Sequence, residues 1–233
     1  MTRPPSLSCV IPAFNEGPRI GAILAVALAT PDIDEVIVVD DGSTDATADV
    51  AEDWARRSAR LRLIRQPGNG GKTRAVAAGL GAARGEFLML IDSDLVGLRP
   101  HHLSRLAAPV LRGASGASIS LRGNAPRSWR FIGLDYISGE RVMARRLLAD
   151  RLDVLDRLPR FGLEVFVNRL WLDAGLDIAV VRWPEVASPM KAEKRGGLAA
   201  GLRADAAMLT DMFRTISPLA ALGQIRAMRA RRI

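Results

Sequence analysis

The chain has 233 residues, enough to bury one full α/β core with at most a small appendage. Its single cysteine, Cys9, excludes an internal disulfide and fits a reducing compartment, and no apolar run reaches the ~18 residues of a membrane span. The net charge of +8 is uneven: from Lys191 onward nine basic residues face three acidic ones, leaving only +2 for everything before.

A basic tail of that kind suits an anionic partner (acidic lipid, a phosphorylated substrate, less readily nucleic acid), although solubility alone would explain it as well. Residues 1–7 carry Arg3 but lack the apolar stretch of a signal peptide. The expectation is therefore a cytoplasmic protein, at most peripheral at the inner membrane face.

The first hundred residues alternate short apolar runs with amphipathic stretches. Residues 8–13 read as a strand, 16–29 as a helix opened by Asn15, and 35–40 (EVIVVD) as a second strand. The last has no polar residue between Val36 and Val39, the pattern of a strand covered on both faces. A helix over 45–58 follows, with Thr44 or Asp45 as its N-cap. Then come a strand over 61–65, a glycine-rich turn, a helix over 72–83 and a strand over 86–91. This rhythm predicts a mostly parallel sheet with right-handed crossovers and helices on both faces.

Beyond Pro100 the rhythm loosens. Helices are expected over 100–111, 139–149 and 162–174, strands over 116–121 and 178–183, and an arginine-rich loop over 122–130. Terminal helices are expected over 196–216 and 218–229. The organisation is thus a first half, 1–112, a second half, 113–195, and a basic helical tail, 196–233. Cys9 falls in a buried strand and reads as core. His101 and His102, the only histidines, follow Pro100 at a helix start and read as solvent-exposed first-turn residues.

Ligands in open parallel sheets bind outside the carboxyl ends of the strands. The polar signatures fall at those ends: 12–16, 40–45, 69–72 and 92–94. Asp92 and Asp94, two carboxylates at i and i+2 after the apolar strand FLMLI, can serve one hard divalent cation, though such pairs also cap helices. Asp40-Asp41-Gly42-Ser43-Thr44-Asp45 offers acceptors for a base or ribose, and equally a turn with a capping residue. Gly68-Asn69-Gly70-Gly71-Lys72-Thr73 is no Walker motif, because Gln66 stands where the P-loop needs its first glycine. It is still a glycine-rich turn feeding a helix start, where backbone N–H groups and Lys72 favour anions.

The run CVIPAFNE, then EVIVVDDGSTDAT, the glycine–lysine turn and GEFLMLIDSD together resemble the nucleotide-binding half of family-2-type glycosyltransferases of the GT-A fold. The resemblance spans about residues 7–112. It implies that Pro12, Ala13, Glu16, Asp41 and Lys72 line a nucleotide pocket for a UDP- or GDP-linked sugar. It also implies that Asp94 is the main ligand of Mg²⁺ or Mn²⁺, with Asp92 beside the ribose or sugar and sharing the metal, and Ser93 between them.

The second half is similar, more weakly, to glucosyl-3-phosphoglycerate synthases. Ser138-Gly139-Glu140-Arg141 resembles the small-Gly-Glu turn that approaches the sugar there, which brings in Gly139. Phe161-Gly162-Leu163-Glu164 resembles the run that supplies a carboxylate, with Arg160 in place of its first glycine. The metal-binding histidine of that family has no counterpart between Glu185 and Lys194, so the metal has one fewer protein ligand or is served by Ser188 or water.

The expected activity is metal-dependent hexosyl transfer, with Lys72 and the metal stabilising the leaving diphosphate. An inverting reaction would need a base, for which Glu164 and Asp135 are the candidates; a retaining one would use the carboxylate to orient the sugar. Arg122, Arg127 and Arg130 suit an anionic acceptor such as phosphoglycerate or a polyprenyl phosphate. A sugar nucleotidyltransferase is disfavoured, since its glycine-rich signature would directly follow the first strand. A non-catalytic, transferase-like protein docked through its basic tail is the remaining alternative. Leu219, Leu222, Ile225 and Met228, at spacings of three, are expected to form one apolar face that meets a membrane, the domain or a second subunit.

Overall fold

In the computed structural model, which describes residues 6–155, 157–158, 162–188 and 216–233, seven strands form one sheet ordered β3-β2-β1-β4-β6-β5-β7. The first half supplies β1 (Leu7–Ala13), β2 (Glu35–Asp40), β3 (Leu61–Arg65) and β4 (Phe87–Leu90), all parallel. Helices α1 (Gly17–Ala29), α2 (Thr47–Arg57) and α3 (Lys72–Ala82) make the crossovers between them. After β4, α4 (Pro100–Leu111) leads to β5 (Ala117–Arg122) and the short α5 (Arg127–Ile132). Then follow β6 (Arg141–Ala144), α6 (Arg146–Ala149), α7 (Leu152–Leu155), α8 (Gly162–Asp173) and β7 (Ile178–Trp183). The C-terminal helix, α9, is Pro218–Ala230.

Every residue of β1 is buried, and β2 is buried from Val36 to Asp40. Both faces are covered. Cys9, Val36 and Val38 face α1, α2 and α4, whereas Val10, Ile37 and Val39 face α3 and α8. Cys9 is core as expected, and burial pushes its thiol up to about 12.

Several expectations need correction. The stretch 139–149 is not one helix: Arg141–Ala144 is a strand, antiparallel to both β4 and β5. Its Met, Ala, Arg and Leu content favours helix locally. Val142 and Met143, however, are buried on opposite faces, in the two separate cores, which only a strand in the middle of the sheet can satisfy. Residues 127–130, expected as the end of a loop, belong to α5. Helix α1 starts at Gly17 because Asn15 adopts a left-handed conformation (φ 55°). Helix α2 starts at Thr47 with Ala46 at its N-cap position, although Asp45 Oδ1 still accepts the Thr47 N–H at 2.9 Å. The expected helix over 196–216 lies mostly outside the described residues.

His102 is also unlike the expectation. His101 is exposed, but His102 is buried, its Nδ1 accepting the Arg99 N–H at 3.0 Å and its ring packed toward Trp183. It caps α4 from inside the fold. In α9 the buried positions are Ala221, Ile225 and Met228, packed toward α8, while Leu219 and Leu222 are exposed. Four residues at strict spacings of three drift about 60° per step around a 3.6-residue helix, so they cannot share one face.

Candidate active site

The carboxyl ends of β1, β2 and β4 open on one edge, and their loops are laced together before any ligand arrives. Asn15 donates its N–H to Ser43 Oγ at 2.9 Å and accepts the Thr44 N–H at 2.9 Å; Glu16 N–H reaches Thr47 Oγ1 at 2.7 Å. The Asp41 carboxylate accepts the N–H groups of Gly70 and Gly71 at 2.9 and 2.7 Å. The anion-favouring amides of the glycine turn are therefore held by a carboxylate of the chain itself. Gly42 (φ 71°) lets this happen, since a Cβ there would stand 2.5 Å from the Gly68 backbone.

Lys72 opens α3 and reaches across the edge. Its Nζ lies 2.7 Å from Asp92 Oδ1 and 3.0 Å from Glu164 Oε1. Desolvation works against its charge, but the two carboxylates outweigh it and hold the ammonium above its ordinary pKa. Burial would raise Asp92, yet Lys72, with Arg122 behind it, keeps that carboxyl below the usual range. Gly139 packs directly over this pair: a Cβ there would be 2.5 and 2.6 Å from the Asp92 oxygens and 2.7 Å from Lys72 Nζ.

Asp94 differs from Asp92. Among the described residues its hydrogen-bond partner is the Ser188 hydroxyl, at 3.3 and 3.4 Å from the two oxygens, and no basic side chain pairs with it. Burial, then the neighbouring Asp92 and Glu16, push its carboxyl up to about 6. A half-buried carboxylate with excess negative charge around it and a hydroxyl beside it has the chemistry of a cation site. The all-oxygen donor set fits Mg²⁺ or Mn²⁺, which take one or two carboxylates and complete their shell with water and phosphate. No group of three or more His, Cys, Asp or Glu that could hold a metal converges among the described residues.

Of the residues expected from sequence, Pro12, Ala13, Glu16, Asp41, Lys72, Asp92, Ser93 and Asp94 line one cavity of about 210 Å³, with Phe14 at its half-exposed rim. A second cavity of about 510 Å³ shares Phe14, Asp41, Lys72 and Asp92 and adds Arg122, Glu164 and Ser188. Glu164 is thus at the site. Asp135 lines neither cavity: it is fully buried, neither carboxylate oxygen has a hydrogen bond, and Arg122 Nη2 stands 3.5 Å from it. Burial pushes its carboxyl up to about 6, against the pull of Arg122. Arg122 also lies 3.5 Å from Glu140, whose Oε2 accepts the hydroxyls of Ser120 and Ser138 at 2.6 and 2.7 Å. Arg130 is exposed on α5, outside both cavities.

Sequence reasoning passed over Phe14 as a rim residue and named Arg141 only as the last residue of the 138–141 run, with no role of its own. Phe14 sits inside the motif already singled out. Arg141 carried no signal, since one arginine in an arginine-rich stretch reads as surface.

A family model described as glycosyl transferase family 2 matches residues 8–157. The chain belongs to that family. Its relatives include a dolichyl-phosphate beta-glucosyltransferase of Trichomonas vaginalis, 39% identical over 94 residues, covering 36% of this chain and 28% of that protein. A dodecaprenyl-phosphate galacturonate synthase of Rhizobium johnstonii is 40% identical over 94 residues, covering 38% and 28%. This family-2 chain spans about a quarter to a third of the length of the curated relatives it matches. Among solved structures, glucosyl-3-phosphoglycerate synthase from Mycobacterium tuberculosis with phosphoglyceric acid superposes with a TM-score of 0.67 at 24% identity, covering 91% of this chain and 80% of that one. The same protein with Mn²⁺, UDP-glucose and phosphoglyceric acid gives 0.62 at 27% identity, covering 86% and 79%. The fold is thus the GT-A type that the sequence led one to expect.

Proposed function

We propose that this family-2 chain transfers a hexose from a nucleoside diphosphate sugar to an anionic acceptor. The carrying observation is Asp94, a carboxylate raised to about 6 with no cation partner among the described residues, in the same cavity as Lys72 and Asp92. A divalent cation there would offset charge on the departing diphosphate. The chain's own residues do the rest. Pro12, Ala13, Glu16 and Asp41 hold the nucleoside, with Phe14 offering its ring at the rim. Lys72 donates to diphosphate oxygens as the glycosidic bond breaks, which is electrostatic stabilisation of the developing charge. Ser93 and Gly139 keep the backbone close to the sugar, and Asp92 orients it.

Once Lys72 turns toward phosphate, Glu164 is released from its ion pair and faces the larger cavity. There it takes the acceptor's proton or orients the sugar, according to the stereochemical course. Asp135 serves better as the buried counter-ion that aims Arg122 at the cavity than as a base, because no solvent reaches it. Arg122, 13% exposed, presents a guanidinium to a phosphate or carboxylate of the acceptor. Phosphoglyceric acid bound to the mycobacterial structure and the polyprenyl phosphates in the names of curated relatives support an acceptor of this charge.

Peripheral contact with a membrane belongs to the same proposal. No helix among the described residues is long and apolar enough to cross one. On α9, however, Leu219, Leu222, Arg226 and Arg229 are all exposed, and their spacing of three, four and three residues sets them on one stripe beside the buried face. An apolar and basic stripe of this kind can lie on an anionic bilayer surface. Whether the chain is also a homodimer is a separate expectation that solution mass would decide.

Titration calorimetry with UDP and GDP, with and without Mn²⁺, tests the central reading. Asp94→Asn is expected to weaken the metal-dependent binding by roughly 2–4 kcal/mol, the scale of losing a buried charged partner. Equal affinity in the variant, or no effect of Mn²⁺ on the wild type, would refute it. Glu164→Gln is expected to abolish transfer while leaving nucleotide affinity within a few-fold.

A further inference from the structure

Arg141 opens β6 and is 1% exposed, one of the largest fully buried side chains. Its guanidinium donates to Ser138 O at 2.6 Å, Tyr136 O at 3.1 Å, Asn168 Oδ1 at 2.7 Å and Glu164 O at 3.4 Å. It also lies over the Trp171 ring, 5.2 Å from the centroid. Asn168 completes the arrangement by donating Nδ2 to Tyr136 O at 2.9 Å. Among the described residues no carboxylate hydrogen-bonds the guanidinium; its hydrogen bonds there go to three backbone carbonyls and one side-chain amide.

Such a group is costly. Removing a guanidinium from water carries a penalty of several kcal/mol, and apolar residues of similar volume are often the more stable choice. Burial accordingly draws the Arg141 pKa down. What the guanidinium achieves is geometric. Glu164, Asn168 and Trp171 lie on α8 at i, i+4 and i+7, so one face of that helix is registered on Arg141. Tyr136 and Ser138 belong to the turn that delivers Gly139 over Asp92 and Lys72. A single side chain therefore ties together the two walls that enclose Lys72.

We propose that Arg141 and Asn168 are positioning residues that set the Glu164 carboxylate against Lys72 and hold Gly139 in register with Asp92. The inference rests on the reading of Glu164 as a reacting carboxylate, and its test keeps the two apart. Lys72 bonds Asp92 and Glu164, whereas Asn168 bonds Arg141 and Tyr136, so the two reach each other through the Glu164 segment and through the 136–139 turn that packs Gly139 against Lys72. Substitutions without a shared partner add in their effects on stability, and coupled ones do not.

The experiment is a double-mutant cycle of Lys72→Met and Asn168→Leu in the full chain, read as unfolding midpoints in urea. The expected result is a double variant whose midpoint loss falls short of the sum of the single losses by at least about half of the smaller one. That shortfall should shrink in a Glu164→Gln background, and Asn168→Asp, which keeps an acceptor for Arg141, should recover most of the midpoint lost in Asn168→Leu. Arg141→Met should reproduce Asn168→Leu; should it fail to fold, the Asn168 pair carries the test alone. Additive losses in the wild-type background, or no recovery with Asn168→Asp, would overturn the proposal. Near-normal turnover of Glu164→Gln would instead remove the catalytic reading of Glu164, and the cycle would still report whether Arg141 and Asn168 place that carboxylate.

Discussion

Gly139→Ala perturbs the site with a single methyl group. The added Cβ would stand 2.5 and 2.6 Å from the Asp92 oxygens and 2.7 Å from Lys72 Nζ, where ordinary contact begins at 3.4 Å. The Asp92 carboxylate must retreat by most of an ångström, and Lys72 must follow because the two are bonded at 2.7 Å. Both are free ends of side chains, so the fold can relax around the change. Overpacking costs about 1–3 kcal/mol, and a glycine-to-alanine change outside the left-handed region returns about 0.4–1 kcal/mol through the unfolded chain. The net loss should lower the melting temperature by no more than about 10 °C in a chain of this size. Turnover is the sensitive readout, since a misplacement of about 1 Å at a reacting centre can cost roughly a hundredfold. The assay is initial-rate transfer, using the nucleoside diphosphate sugar that most raises the melting temperature of the wild type with Mn²⁺. A variant that folds and turns over within twofold of wild type would refute the view that Gly139 is required for the Lys72–Asp92 geometry.

Two further outcomes follow from parts of the fold away from the diphosphate site. Burial first, and His101 second, lower the His102 pKa below its ordinary 6.5, while Glu185, 3.5 Å from Nε2, pulls the other way without reversing the shift. The unfolded chain therefore binds the proton more readily, so this contribution to stability is full above pH ~6.5 and is lost as pH falls below it. His102→Asn, whose Oδ1 can replace Nδ1 as acceptor for the Arg99 N–H, should flatten that part of the pH profile in urea melts; an unchanged profile would contradict it. At the membrane stripe, Arg226→Gln with Arg229→Gln should weaken flotation with anionic vesicles by roughly 2 kcal/mol, about thirtyfold, at low salt and far less at high salt. Leu219→Ser with Leu222→Ser should weaken it at both, and equal flotation of all three proteins would rule the stripe out. Point variants are the right tool, because deleting α9 would also remove buried Ala221, Ile225 and Met228.

The four parallel strands of the first half, and β5 and β7, were legible in the chain because the signal for each is local: a short apolar or alternating run closed by a polar turn. The same runs placed Asp41, Lys72, Asp92 and Asp94 at strand or helix ends, and a parallel sheet brings such ends to one edge whatever the side chains do. The tertiary structure alone decided the rest, wherever distant partners outweighed local preference. Residues 141–144 have a helical composition but become a strand, because Val142 and Met143 must fill two cores at once. His102 is drawn inside by the Arg99 N–H and Trp183, and α9 turns Ile225 inward while leaving Leu219 and Leu222 outside. Asp41 spends its carboxylate on Gly70 and Gly71, and Lys72 bridges residues 20 and 92 positions away, pairings that no periodicity encodes. Arg141 is the extreme case. Its charge predicts the surface, and only four acceptors converging from the 136–138 turn and α8 make the interior possible.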